Sequence, residues 1–179
     1  MIQLIKDLGP IIVGLAGLFL GFLYNKRSMK QKQYEDEKKE IYKKLNSFYG
    51  PFQQLRGISA ELYARMRASR GEGFRTLTAL LHGEKFEGND KVILEQILAI
   101  SKKIDELILV NSGLIDNTEL RTTLAKVGAH IRILQLAYEG NLAGEEDRFK
   151  ESVFPNEIDR MIESEIERLK SKLEVLNRM

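Results

Sequence analysis

The chain has 179 residues, three prolines, no cysteine, no tryptophan and a formal net charge of +2. Zero cysteines exclude disulfide staples, thiolate zinc sites and a cysteine nucleophile and fit a reducing compartment, while so small a net charge argues against a nucleic-acid polymer as partner. Scarce proline with abundant Leu, Ile, Glu, Lys and Arg is a helical composition without the turn punctuation of a sandwich or barrel.

The expected fold class is therefore all-α: a single N-terminal transmembrane helix followed by a cytoplasmic antiparallel helical bundle of about four long helices. The expected divisions are a transmembrane anchor over residues 1–25, a basic juxtamembrane helix or stalk over 26–50, and a helical-bundle domain over 51–179.

Residues 8–24 read LGPIIVGLAGLFLGFLY, with no side chain charged at pH 7. As a helix this stretch rises about 26 Å, slightly short of a hydrocarbon core of about 30 Å, and Ile2, Leu4 and Ile5 supply the remainder. Pro10 suits a helix start, so a span beginning there after a short interfacial piece is the alternative. A cleaved signal peptide would end its apolar region in a small-x-small site. Here Gly14-Leu15-Ala16 lies in the middle of the run and Asn-Lys-Arg follows Tyr24, which favours a retained anchor.

Only Lys6 precedes the span, whereas Lys26, Arg27, Lys30 and Lys32 follow it directly, so the N-terminus is expected outside and the body in the cytoplasm, single-pass in the cell inner membrane. The same four basic residues are expected to contact anionic membrane lipid. Gly14, Gly17 and Gly21 share one helix face. Such a strip lets two backbones approach closely in lipid, so a homo-oligomer is expected through it; glycine is also common in spanning helices for no such reason.

Residues 26–44 hold eight basic and four acidic side chains, a net +4, whereas residues 139–167 hold three basic and ten acidic, a net −7. Between them, Tyr34, Ile41, Leu45, Phe48, Phe52, Leu55, Leu62 and Met66 form one helical stripe. It keeps phase across Gly50-Pro51, where either a long helix kinks or two helices meet nearly end to end. Gly71-Glu72-Gly73 breaks the pattern, a short segment covers 74–82, and 83–89 is a loop.

Asn89 or Asp90 caps a helix over 91–110 that is apolar on more than one side, which marks it as the central helix. Asn111-Ser112-Gly113 ends it, and Asn117 or Thr118 starts another that runs to Tyr138. Phe154-Pro155-Asn156 opens the last helix, where Ile158, Ile162, Ile166, Leu169, Leu173 and Leu176 repeat at steps of three and four. That stripe suits a bundle edge or a coiled-coil seam, and at fewer than three heptads the bundle is preferred.

The sequence contains no HExxH, GxSxG, GxxxxGK[ST] or GxGxxG pattern, so no catalytic residue, metal ligand or cofactor is expected. His130, at the edge of an apolar face, reads as a hydrogen-bonded structural histidine and His82 as a helix cap. The pairs Glu145-Glu146 and Glu163-Glu165 point in different directions on a helix and read as solvated faces.

Arg56, Arg65, Arg67, Arg70 and Arg75 crowd a short region with Tyr63 and Phe74; Arg56, Arg67 and Arg70 fall within reach of one polar face, Arg65 turns away, and Arg75 is kept with the three as a candidate. Arginine forks recognise phosphate and carboxylate bidentately, so a small anionic ligand or an acidic protein partner is one reading. A solvated face, or pairing with the acidic C-terminal half, is the other.

The stretch Ser47-Phe48-Tyr49-Gly50-Pro51, with the segments at 106–108 and 111–116, resembles short segments of bacterial membrane-anchored proteins. The resemblance implies a bacterial origin and inner-membrane placement, and it carries neither an activity nor a site residue. The expected function is a non-enzymatic membrane-anchored interaction or scaffold protein with a protein partner. The alternative is an oligomeric membrane effector that senses an anionic ligand such as a nucleotide, and a membrane-tethered enzyme is a distant third.

Overall fold

A computed structural model describes residues 2–71, 73–142, 146–149 and 152–179, with side chains described throughout except for residues 2–16, 19, 23 and 146. The chain is 82% helical, and the described residues contain no strand. In order, the helices are α1 (Ile2–Lys44), a π-helical turn (Leu45–Tyr49), α2 (Gly50–Ala68), α3 (Thr76–Leu81) and α4 (Gly88–Val110). A 3₁₀ turn (Ser112–Leu114), α5 (Thr118–Tyr138), α6 (Glu146–Phe149) and α7 (Glu157–Asn177) complete the bundle. Two compact units result, one of residues 1–42 with 173–179 and one of residues 43–172.

In the first unit, α1 runs without interruption through residue 25, where a division between anchor and stalk was expected. Glu35–Lys38 and Asp36–Lys39 pair at 3.6 Å across one helical turn, worth a few tenths of a kcal/mol each. Ile41, Leu173 and Leu176 are buried. Nearer the N-terminus Leu18, Leu20, Phe22 and Tyr24 are all exposed by more than 60%. Among the described residues no helix is long and apolar enough to cross a membrane. Most side chains of the expected anchor, Gly14 included, lie outside the described residues.

The second unit begins two residues ahead of the π-turn, and that turn resolves the question posed by Gly50-Pro51. An α-helical Pro51 would lack its hydrogen bond and crowd the carbonyl of Ser47. The chain instead inserts one wider turn, in which Gly50 N–H donates to Leu45 O five residues back, and helical dihedrals continue through Tyr49 and Gly50 into α2. The helix neither breaks nor ends there. The turn presents Phe48 and Tyr49 to the interior with Phe52, all three at most 1% exposed. Their rings meet at 5.0 Å edge-on and 5.6 Å tilted, adding to the roughly 1.5–3 kcal/mol that burying each large side chain contributes.

Helix α4 packs against both α2 and α5, the central position its broad apolar surface predicted. Its buried face carries Leu94, Ile97, Leu98, Ser101 and Ile104, while Val92, Leu109 and Val110 remain exposed. One core joins Met66 of α2, Leu77, Leu80 and Leu81 of α3, Leu94 and Leu98 of α4, and Leu134 of α5. Asn117 caps α5, its side chain accepting from Leu120 N–H at 3.1 Å. Gly140 ends that helix at φ +79°, where Asn141 N–H closes back on Leu136 O at 2.9 Å. On α7, Ile158, Ile162, Ile166 and Leu169 are buried, as the stripe required. The short α6 has no periodic pattern long enough to announce it.

Candidate functional site

The arginines expected to form an anion site are not gathered at one point. Arg56 and Arg70 lie fourteen residues apart, about 21 Å along a helix at 1.5 Å per residue. Arg56 turns towards α7 and gives Nη2–H to Asp159 Oδ2 at 3.1 Å, while its guanidinium lies 4.1 Å from the centroid of the Phe154 ring. Burial lowers its pKa and Asp159 opposes that shift; its Nε is buried without a hydrogen-bond partner. The partner comes from the acidic 139–167 stretch.

Arg70 is spent on a different clasp. Its Nε–H donates to Asp90 Oδ2 at 2.7 Å, a second nitrogen pairs with Glu84, and the guanidinium lies over Phe74 at 4.9 Å and Phe86 at 4.4 Å. One side chain thereby ties the end of α2 to the first turn of α4. Arg67 and Arg75 are exposed.

His130 belongs with Arg56. Its Nδ1 lies 2.6 Å from Ser152 O, and its ring meets Phe154 edge-on at 5.6 Å. The neutral tautomer with Nδ1–H donates to that carbonyl. Burial depresses the His130 pKa, the Ser152 hydrogen bond opposes that and the nearby Arg56 charge reinforces it. The residue is a structural strut holding the 152–155 connection against α5. His82 is the C-cap of α3.

A second polar knot surrounds the π-turn. Lys44, itself buried, pairs with Asp116, and Asn117 and Arg168 both donate to Glu165, at 3.3 and 2.8 Å. Tyr49, among these groups, has its pKa pushed up to about 12, first by burial and then by the Glu165 charge. The knot fastens the π-turn, the α4–α5 connection and α7 together.

On α1, Gly17 and Gly21 are exposed, and a Cβ built on either meets no atom within 4 Å. Lys26, Arg27, Lys30 and Lys32 are exposed on the same helix. Glu145 and the Glu146 side chain lie outside the described residues, while Glu163 is exposed and Glu165 partly covered.

Two recesses escaped the linear reading. A groove of about 510 Å³ runs between α4 and α5, and a cleft of about 210 Å³ lies between α2 and α7 beside Arg56. Helices α4 and α5 approach closely at Gly128, whose added Cβ would stand 3.1 Å from Asp105 Oδ1. A small residue facing a carboxylate on the next helix is the sequence signal for it, and only a known helix pairing makes that signal readable.

No group of three or more His, Cys, Asp or Glu side chains able to hold a metal ion occurs among the described residues. The chain matches no known protein family, no curated protein and no solved structure.

Proposed function

We propose that this chain is a non-enzymatic interaction or scaffold protein, held by its N-terminal helix at the cytoplasmic face of the inner membrane and displaying a helical bundle to protein partners. One observation carries the reading: α1 continues without a break from an uncharged stretch, past Lys26, Arg27, Lys30 and Lys32, to Lys44. Leu18 and Phe22 stand exposed on one face of that helix and Leu20 on the opposite one. Large apolar side chains left exposed on opposite faces of a helix beside an uncharged run suit an apolar solvent, and the basic cluster beyond suits a cytoplasmic body.

Self-association through Gly17 and Gly21 belongs to the same proposal, since the open space over both glycines suits close backbone approach in lipid. The effector alternative loses much of its support, because Arg56 and Arg70 already hold carboxylates of the same chain.

Fractionation tests the reading directly. The full-length chain is expected in the membrane pellet, released by detergent and not by salt or carbonate, with the body resistant to protease added to intact spheroplasts. Recovery in the soluble fraction, or digestion of the body from outside, overturns it. A pull-down from native membranes is expected to return a stoichiometric protein partner.

A further inference from the structure

No further inference is drawn: the strongest candidate, the cleft between α2 and α7, has its one cation, Arg56, already held by Asp159, and nothing in the structure shows what covers its apolar floor of Phe52 and Ile162.

Discussion

The guanidinium of Arg56 lies over the ring of Phe154, 4.1 Å from its centroid, and so joins α2 to the connection that leads into α7. The contact is asymmetric in cost, because the Arg56 side chain is 16% exposed and that of its carboxylate partner Asp159 50%. Removing Asp159 strands a mostly buried cation, whereas removing the arginine leaves a carboxylate that water can reach. Asp159→Asn should therefore destabilise the body by about 1–3 kcal/mol, and Arg56→Met, which keeps the apolar stem over Phe154, by less. Urea unfolding of the detergent-solubilised chain measures both, and a larger loss for Arg56→Met would refute the asymmetry.

The same cluster makes stability depend on pH through His130. Its folded pKa is depressed, so the unfolded chain binds the proton more readily once pH falls below about 6.5, the ordinary histidine value. The contribution is complete above that pH and is lost as acidity increases through the folded pKa. The unfolding midpoint should drop between pH 7.5 and 5.5, and His130→Asn should flatten that drop. An equal slope in the variant would remove His130 as its source.

Gly50 and Gly57, both on α2, should respond differently to alanine. A Cβ on Gly50 would sit 3.0 Å from Leu45 O, a backbone atom fixed by the π-turn, whereas one on Gly57 meets nothing within 4 Å. Gly57→Ala should stabilise by about 0.5–1 kcal/mol through helix propensity, and Gly50→Ala should gain none of this or lose stability. Thermal melts of the two variants side by side decide the point.

Gly17→Leu tests the packing face of α1. A leucine there holds two backbones apart, so the detergent-solubilised mass should fall towards that of one chain. An unchanged mass would take glycine packing out of the proposed assembly.

The all-helical class, the long helices and their boundaries within a few residues were legible because each stripe repeats at three and four residues over several turns. Asn117 as a cap and His130 as a strut were legible for a local reason, since a side chain beside a helix start or an apolar edge has few partners within reach. The π-turn was only half legible. Gly50-Pro51 signals a disturbed hydrogen-bond ladder, yet the choice among a kink, a break and one wider turn depends on the burial of Phe48, Tyr49 and Phe52 together.

What the sequence determined by itself is therefore the period of each helix, the charge split between 26–44 and 139–167, and the uncharged run over 8–24, because these are properties of neighbours along the chain. Tertiary structure alone decided which carboxylates Arg56 and Arg70 hold, and that a groove opens between α4 and α5. Those outcomes depend on which helix faces meet, and pairings across 14 to 103 residues leave no trace in local spacing.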